Sequence, residues 1–189
     1  MAGFPGRLIR MITSVFIGRF QPFHNGHKTV IDHMITESDR CLILVGSSFQ
    51  EPTARNPFSF YLREEMILNH YGQPANMACL PIEDTVDDES WYSKVREVVN
   101  LWKLPNSQIV LYGNIKDETS EYLNHFPEWD RAPLSFGILN ATDIRADFFN
   151  NGSIRNLNVP DSTKEVLSVY QQTRLYQHGQ EMFLCGKGK

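Results

Sequence analysis

The sequence predicts an α/β fold with one doubly wound parallel sheet in a single domain. Short apolar runs alternate with longer segments whose apolar residues recur at helical spacing, which is the pattern of consecutive β–α–β units. The run at 41–46 is apolar before its final glycine, as in a strand buried on both faces. A length of 189 residues fits one domain. Right-handed crossovers between such strands give a Rossmann-like sheet.

Five strands are predicted, each by a short apolar run. They span 14–18, 41–46, 77–80, 108–113 and 134–139. In parallel sheets ligands bind outside the carboxyl ends of the strands, so the loops after them are the candidate site. These loops begin at Gly18, Gly46, Pro81, Gly113 and Asn140.

Five helices are predicted from apolar residues three and four positions apart. They span 25–37, 59–70, 89–102, 142–150 and 160–172, the last as a C-terminal helix. Ser59 is a candidate N-cap, Asn151-Gly152 is a stop signal, and Pro160 suits a first helical turn. Residues 178–189 show no clear period and are predicted to be loose. We therefore expect an extension over 1–12, one domain over 13–175 and a tail over 176–189.

Composition excludes several classes of protein. Eighteen Lys and Arg against 22 Asp and Glu give a net charge of -4, which excludes a broadly basic nucleic-acid coat. No apolar run approaches the roughly 18 residues of a membrane span. Three cysteines cannot form a closed set of disulfides, and Cys41 and Cys79 lie in apolar runs. We expect a soluble, cytoplasmic protein with neither a membrane nor a nucleic acid as partner.

The charges are unevenly distributed along the chain. Residues 1–31 contain four basic residues and no acid, whereas the remainder contains 14 basic and 22 acidic residues. Such a segment is either a targeting peptide, which is rich in Arg and poor in acids, or part of an anion site. The first strand begins too early for the apolar stretch of a signal peptide, which favours the anion site.

The loop Gly18-Arg-Phe-Gln-Pro-Phe-His-Asn-Gly-His27 suits a triphosphate. It lacks the glycine patterns of dinucleotide-binding and P-loop proteins. His24 and His27 lie three residues apart where the first helix begins, beside its amides and its positive dipole end. Gly18 and Gly26 let a ligand approach the backbone, and two bases add positive charge. These bases are Arg19 and Lys28.

Two other uses of the histidines stay open, since they are either unrelated surface residues or a metal pair. Zinc sites usually have further Cys or His ligands nearby, and the sequence arranges none here. We therefore predict no metal ion held by protein ligands.

Asn140-Ala-Thr-Asp-Ile-Arg145 is a second candidate phosphate contact. By itself it is typical of a helix start capped by Asn140 or Thr142, with Arg145 in solvent. Beside a phosphate-binding first loop, the Thr142 hydroxyl and the Arg145 guanidinium would close over the same phosphates from the other side.

Arg55 and Trp91 each allow two interpretations. Arg55 follows the second strand and either reaches a phosphate or is solvated. Trp91 follows the acidic segment 83–89 and either stacks on a heteroaromatic ring or belongs to the core. The acidic segment is more typical of a solvated loop than of a metal site.

These motifs resemble those of the nicotinamide-mononucleotide adenylyltransferases, members of the H-x-G-H nucleotidyltransferase superfamily. The superfamily pairs His/Thr-x-Gly-His with Ser-x-Thr-x-x-Arg, here His24-Asn-Gly-His27 and Asn140-Ala-Thr-Asp-Ile-Arg145. The opening Gly-Arg-Phe-Gln-Pro-Phe-His resembles the archaeal-type branch. The strings at 56–60, 115–117 and 126–130 resemble the adenylyltransferase half of proteins that also carry a Nudix hydrolase.

Two positions depart from the family pattern. Asn140 stands where many relatives have Ser, and Asp88 stands where archaeal relatives often have Asn near the nicotinamide amide. No Nudix signature is present in the 189 residues, so that domain is either absent from the protein or outside this sequence.

The resemblance implies transfer of AMP from ATP to the 5′-phosphate of nicotinamide mononucleotide, which forms NAD and pyrophosphate. ATP is then the co-substrate, with Mg²⁺ held mainly by its phosphates, and small enzymes of this kind often form homo-oligomers. The implied catalytic residues are His24, His27, Arg145 and Arg19. The implied ATP-binding residues are Gly18, Phe20, Gly26, Gly113, Asn140 and Thr142. The implied substrate-binding residues are Arg55, Asp88 and Trp91.

Two alternative functions stay open. Another member of the superfamily would transfer the nucleotide to phosphopantetheine or flavin mononucleotide, and a non-catalytic sensor would bind nucleotides without turnover. The presence of both histidines and Arg145 favours an enzyme.

Overall fold

The computed structural model describes residues 10–113, 123–133 and 139–186. Within these ranges five strands form one parallel sheet in the order β3-β2-β1-β4-β5. The strands are β1 (Ile12–Gly18), β2 (Arg40–Val45), β3 (Met77–Pro81), β4 (Gln108–Gly113) and β5 (Asp130–Pro133). The helices are α1 (Asn25–Glu37), α2 (Phe60–Tyr71), α3 (Asp88–Trp102), α4 (Ala141–Asn151), α5 (Asp161–Tyr170) and α6 (Arg174–Gly186). The predicted Rossmann-like, doubly wound parallel sheet is confirmed.

The order of the strands puts β1 at the centre of the sheet. The chain runs outward from β1 to β3 and then returns to β4, on the other side of β1. Gly18 pairs with Val45 of β2, and Phe16 pairs with Tyr112 of β4. The strand order therefore reverses between β1 and β4, and the crevice at such a point is where sheets of this kind bind ligands.

The sheet is buried on both faces, which explains why its strands are apolar rather than alternating. Phe16, Ile43 and Tyr112 face a core formed with α1, α2, α4, α5 and α6. Val15 and Leu42 face a second core formed with α3 and with the segment around Phe126 and Trp129. The helix α3 thus lies across the sheet from the other five described helices.

The helix ends confirm most of the predicted signals. Ser59 is the N-cap of α2 and its hydroxyl accepts from the Leu62 amide at 3.3 Å. Gly152 ends α4 in the left-handed region at φ 62°, a conformation that glycine adopts without a steric penalty. Pro160 is the residue before the first turn of α5.

The position of the fifth strand differs from the prediction. Residues 134–138 of the predicted strand lie outside the described residues, and the strand that pairs with β4 is Asp130–Pro133. Its sequence, Asp-Arg-Ala-Pro, has no apolar run. Among the described strands β5 is an outermost one, and a strand at the edge of a sheet tolerates charged residues and proline.

The loose tail predicted for 178–189 is wrong for residues up to 186, which belong to α6. Tyr176 is buried and donates its hydroxyl proton to the Phe148 carbonyl at 3.1 Å, and the Phe183 ring stacks on Phe149 at 4.9 Å. Gly179 is required by packing, since a Cβ there would lie 2.9 Å from Phe149 Cζ. The division of the chain at 175 remains a prediction.

None of the helices in the described ranges is both long and apolar enough to cross a membrane.

Candidate active site

The two histidines of the first loop form a capping box at the start of α1, in which each side chain accepts a hydrogen bond from the backbone amide of the other. His24 is the N-cap, and its Nδ1 accepts from the His27 amide at 3.3 Å. His27 Nδ1 accepts in turn from the His24 amide, also at 3.3 Å. The rings stack with centroids 3.6 Å apart. Because each Nδ1 is an acceptor, a neutral ring carries its proton on Nε2, which makes Nε2 a hydrogen-bond donor.

The environment of His27 keeps it neutral. Its ring lies against Phe20 at 4.7 Å and parallel to Phe23 at 6.3 Å. Burial, and secondly the neighbouring charge of His24, holds the pKa of His27 well below its usual 6.5. At neutral pH His27 therefore offers an N–H group rather than a positive charge.

Gly26 allows the two histidines to stack. A Cβ at this position would lie 3.1 Å from His24 Cε1 and Nδ1. Its neighbour Asn25 is held from another loop, since the Asn25 amide donates to the Asn158 carbonyl at 3.3 Å and Nδ2 donates to Asn158 Oδ1 at 2.6 Å. Asn158 was missed by sequence reasoning because the contact spans 133 positions.

Most backbone amides in the first turn of α1 already donate to protein acceptors, so fewer are available to an anion than the sequence suggests. The amide of Asn25 binds Asn158, that of His27 binds the His24 ring, and that of Lys28 binds the His24 carbonyl at 3.0 Å. In the part of the chain that the structure describes, Gly26 is left as the amide of this turn without a protein acceptor.

Lys28 points away from the histidines, contrary to the expectation that it adds charge to the site. Its ammonium forms a salt bridge with Asp32, one turn further along α1. The Tyr71 hydroxyl donates to the other Asp32 oxygen at 3.0 Å. The charge of Lys28 is therefore neutralised within the helix.

Arg145 joins the second motif to the first. Its side chain is buried, its Nη1 donates to the Gln21 carbonyl at 2.7 Å, and its Nη2 donates to Thr142 Oγ1 at 3.1 Å. Its Nε has no protein partner in the described structure. The alternative interpretation, in which Arg145 is solvated, is wrong, and the two motifs lie together.

Gln21 extends this junction to a third loop. Its Nε2 donates to the Phe58 carbonyl at 2.9 Å, and its Oε1 accepts from the Phe58 amide at 3.0 Å. The motif string contained Gln21, but its pairing with a residue 37 positions away could not be inferred from spacing.

Three arginines from three separate segments create a positive region at this edge of the sheet. Burial and the charges of Arg19 and Arg55 lower the pKa of Arg145 to about 10. Partial burial and Arg55 lower the pKa of Arg19, while the Asp84 carboxylate raises it. Among the described residues none of the three forms a salt bridge. Like charges this close repel one another, and a bound anion would relieve the repulsion.

Asn140 and Thr142 occupy the start of α4. Asn140 is the N-cap, and its Oδ1 accepts from the Thr142 amide at 2.9 Å. Asn140 therefore supplies the acceptor that serine would supply in the family pattern, and the Thr142 hydroxyl is used to orient Arg145.

Three other predicted ATP-binding residues have packing roles. Gly18 ends β1 and its carbonyl accepts from the Gly46 amide at 2.9 Å. The Phe20 side chain is buried, edge-on to Phe16 at 5.3 Å. Gly113 ends β4, and a Cβ there would lie 2.7 Å from Leu123 Cδ1. Any contact of Phe20 with a ligand would come from its backbone.

Asp88 and Trp91 lie on α3, across the sheet from the helix that carries the histidines. Asp88 is exposed at the first position of α3, after the N-cap Asp87. Trp91 is partly buried, packs against the second core and meets Tyr92 edge-on at 5.6 Å. These contacts agree with the core interpretation of Trp91.

Asp84 is a further charged group that the sequence did not single out. Its carboxylate accepts from the Ser47 hydroxyl at 3.0 Å and from Gln50 Nε2 at 2.6 Å, which joins the loops after β2 and β3. The acidic segment 83–89 is exposed, in agreement with a solvated loop, and Asp84 also binds the preceding loop.

The described residues contain no group of three or more His, Cys, Asp or Glu side chains arranged to hold a metal ion. The donors at this edge of the sheet are mainly guanidinium, imidazole and amide groups, which suit phosphate oxygens rather than a cation.

Comparison with known proteins identifies relatives along most of the chain. Residues 15–76 match the family described as Cytidylyltransferase-like. The nicotinamide/nicotinic acid mononucleotide adenylyltransferase of Acinetobacter baylyi is 33% identical over 173 residues, which are 89% of this chain and 92% of that protein. The nicotinamide-nucleotide adenylyltransferase of Halobacterium salinarum is 30% identical over 170 residues, with the same coverage of 89% and 92%.

Solved structures agree with these relatives. A bifunctional NMN adenylyltransferase/ADP ribose pyrophosphatase from Francisella tularensis superposes with a TM-score of 0.82 at 34% identity over 90% of this chain. A structure from the same organism complexed with AMP and Mn ion gives a TM-score of 0.79 at 31% identity, also over 90%. This chain spans 53% and 52% of those two chains, about half of their length.

Proposed function

The chain belongs to the nicotinamide-nucleotide adenylyltransferase family, and on this premise we propose that it transfers AMP from ATP to the 5′-phosphate of nicotinamide mononucleotide. The products are NAD and pyrophosphate. The premise rests on identities of 33% and 30% over 89% of the chain.

One observation in the structure supports the proposal most. Arg145 donates to the Gln21 carbonyl at 2.7 Å, in the loop that carries His24 and His27. The two motifs lie more than 100 positions apart in the sequence and meet at the end of β1, where the strand order reverses. A ligand there would contact both motifs at once.

The reaction needs no covalent intermediate and no strong base. A phosphate oxygen of nicotinamide mononucleotide forms a bond to the α-phosphorus of ATP. The bond between that phosphorus and the oxygen that bridges to the β-phosphorus breaks, and pyrophosphate leaves with the bonding electrons. The nucleophile is already an anion, so the barrier lies in bringing two polyanions together and in stabilising the leaving group. Positioning and fixed donors lower such barriers by several kcal/mol.

We assign to the histidines the role of hydrogen-bond donors to phosphate oxygens, with the lowered pKa of His27 keeping that ring neutral. The tautomer that their Nδ1 contacts fix puts the proton of each ring on Nε2. We propose that His27 lies nearest the transferring phosphorus, where its Nε2–H would donate to a non-bridging oxygen. His24 would lie beside the neighbouring phosphates. A donor of this kind contributes ~3–4 kcal/mol in the transition state.

We assign the neutralisation of the β- and γ-phosphates to Arg145 and Arg19. Arg145 is already oriented by Gln21 and Thr142, so little freedom is lost when a phosphate binds. Gly18, Phe20, Gly26 and Gly113 would contribute backbone contacts to ATP.

The acceptor side of the proposal involves Arg55, Asp88 and Trp91. Arg55 is exposed and lies within electrostatic reach of Arg145, so it is proposed to hold a phosphate. Trp91 is proposed to stack on nicotinamide, which requires its partly buried ring to keep one face accessible. Asp88 is proposed to lie near the amide of the base.

We propose that Mg²⁺ enters as the MgATP substrate and is held mainly by the phosphates. The described residues offer no cluster of carboxylates or histidines to hold the ion themselves. The proposed partners are small molecules in the cytoplasm, without a nucleic acid or a membrane, and a homo-oligomer is compatible with this.

The proposal is tested by pyrophosphate release from ATP and Mg²⁺ with separate acceptors. These are nicotinamide mononucleotide, nicotinate mononucleotide, phosphopantetheine, flavin mononucleotide and no acceptor. We expect pyrophosphate and NAD in equal amounts with nicotinamide mononucleotide. An Arg145→Ala variant purified in the same way controls for enzymes of the expression host and should be nearly inactive.

Two results would contradict the proposal. Turnover confined to phosphopantetheine or flavin mononucleotide would assign the protein to another activity of the superfamily. Binding of ATP without turnover of any acceptor would indicate a nucleotide sensor.

A further inference from the structure

Arg63 of α2 is a buried arginine that the proposed reaction does not use. Its side chain is 1% exposed. Its Nε donates to the Ser59 carbonyl at 3.1 Å, and its Nη1 donates to the carbonyls of Arg19 and Gly46, both at 2.7 Å. Its Nη2 donates to the Ser47 carbonyl at 3.2 Å. One guanidinium thus binds the loops that follow β1 and β2 to the start of α2.

The segments that Arg63 holds contain residues with strained backbone conformations. Phe20, next to Arg19, has φ 50°, and Ser47 has φ 49°. Residues other than glycine rarely adopt this left-handed region, and they keep it only where the surrounding structure enforces it. The bonds to the Arg19 and Ser47 carbonyls fix the backbone at both places.

The acceptors of Arg63 are backbone oxygens rather than a carboxylate. Burial and the charge of Arg19 lower the pKa of Arg63 to about 10, and Asp84 opposes this shift. Arg63 is therefore charged at neutral pH. A buried charge without a bonded carboxylate is costly, and its stabilisation depends on the four carbonyls remaining in place.

We propose that Arg63 is a positioning residue whose forked guanidinium holds the loops after β1 and β2 so that Arg19 faces the phosphates of ATP. The inference rests on the proposed function, because it takes the edge of the sheet near Arg19 as the ATP site. Arg63 acts through Arg19 and the loop backbone and does not itself touch the substrate.

The substitution Arg63→Lys tests the geometry of the fork while keeping the charge. A lysine ammonium is a compact donor and cannot span all four carbonyls. We expect kcat/KM for ATP to fall by at least about tenfold, since misplacement of a site by an ångström costs up to about 10²-fold. Arg96→Lys is the matched control. Arg96 also donates to a carbonyl, that of His125, but it lies on α3 across the sheet.

A second variant separates positioning from stability. Arg63→Ala should lose activity, and millimolar guanidinium should restore part of it, whereas methylammonium, of equal charge, should not. Restoration by both cations would show that charge alone matters and would overturn the proposal. If this variant does not fold, Arg63→Lys decides alone.

The result that overturns the proposal is an Arg63→Lys protein with wild-type KM and kcat and only a lowered Tm, as a merely structural arginine would give. The Kd of ATP is measured alongside by calorimetry. If the wild-type protein forms no NAD, the proposed function fails, and the ATP affinity of the Arg63 variants still decides the role of Arg63.

Discussion

His24 and His27 illustrate how one spacing serves both local structure and chemistry. The N-cap and the third helical residue exchange side-chain to backbone hydrogen bonds in a capping box, usually made by Ser or Thr with Glu or Gln. Here imidazole rings make both bonds through Nδ1. The sequence therefore predicts the position of the pair, but the capping role and the resulting tautomer required the structure.

Replacement of His27 tests its assigned role. His27→Ala should lower kcat by ~10²–10³ with only a modest loss of ATP affinity, because a donor used mainly in the transition state is removed. Steady-state kinetics with varied ATP measure both constants. His33→Ala is the control, since His33 is an exposed histidine of the same helix. An unchanged kcat in His27→Ala would contradict the role.

The lowered pKa of His27 predicts a pH dependence of stability. In the unfolded chain His27 binds a proton near pH 6.5, whereas in the folded protein it does so only at a pH well below this. Between these two pH values the unfolded state holds more protons. The free energy of unfolding should therefore fall as the pH drops below about 6.5, by up to about 1.4 kcal/mol per pH unit.

His27→Gln is the variant that isolates this effect, because glutamine suits the same position of a capping box but does not titrate. Reversible urea unfolding from about pH 7.5 to about pH 5.5 should show a shallower loss of stability in the variant. Equal slopes for the two proteins would contradict the assigned titration.

At the scale of elements, the sequence predicted those structures that depend on local patterns. The apolar runs gave four strands, and the caps gave the start of α2 and the end of α4. The pair Lys28–Asp32 was also available, because residues four apart on a helix face each other. The strand at Asp130–Pro133 could not be predicted from local patterns. Charged residues and proline are unusual in a strand, and they fit here because β5 is an outermost strand of the described sheet.

The helix α6 was missed because residues 178–189 show no clear apolar period. Gly179 serves close approach of this helix to the Phe149 ring. We expect Gly179→Ala to destabilise the protein by about 1–3 kcal/mol through overpacking, although alanine is the better helix former by about 1 kcal/mol. Urea unfolding followed by circular dichroism measures the change.

Gln177→Ala is the control for helix propensity on α6, because Gln177 is exposed. It should leave the midpoint nearly unchanged. A Gly179→Ala protein as stable as wild type would mean that α6 moves away from Phe149 at little cost.

For the whole molecule, the net charge of -4 conceals a separation of charge. Acidic residues dominate after residue 31, while Arg19, Arg55 and Arg145 converge at the end of β1 from three segments. Of the bases in the acid-free start of the chain, Arg19 lies among these arginines, whereas Lys28 is paired with Asp32. The sequence could not show that Gln21 connects the first loop to Arg145, since that contact spans 124 positions.

The closeness of Arg19, Arg55 and Arg145 predicts a trade-off. An arginine that strengthens ATP binding should lower the stability of the ligand-free protein through repulsion. Arg55 lowers the pKa of both Arg19 and Arg145 by repulsion. Arg55→Gln should therefore leave the ligand-free Tm unchanged or slightly higher, while the KM for ATP or the nucleotide acceptor rises and the Tm increase produced by saturating ATP becomes smaller.

The matched control is Arg131→Gln, which removes the same charge from an exposed arginine of β5 that donates to Asn124 Oδ1 at 2.8 Å. Both variants have the same net charge, so a general effect of charge on nucleotide binding would appear equally in each. A loss of affinity confined to Arg55→Gln, weakening as ionic strength rises, locates the effect at the arginine cluster because screening acts on charged pairs in solvent. A lower ligand-free Tm in Arg55→Gln would mean that Arg55 stabilises the fold. Repulsion among the three arginines would then not destabilise the ligand-free protein, which contradicts the prediction.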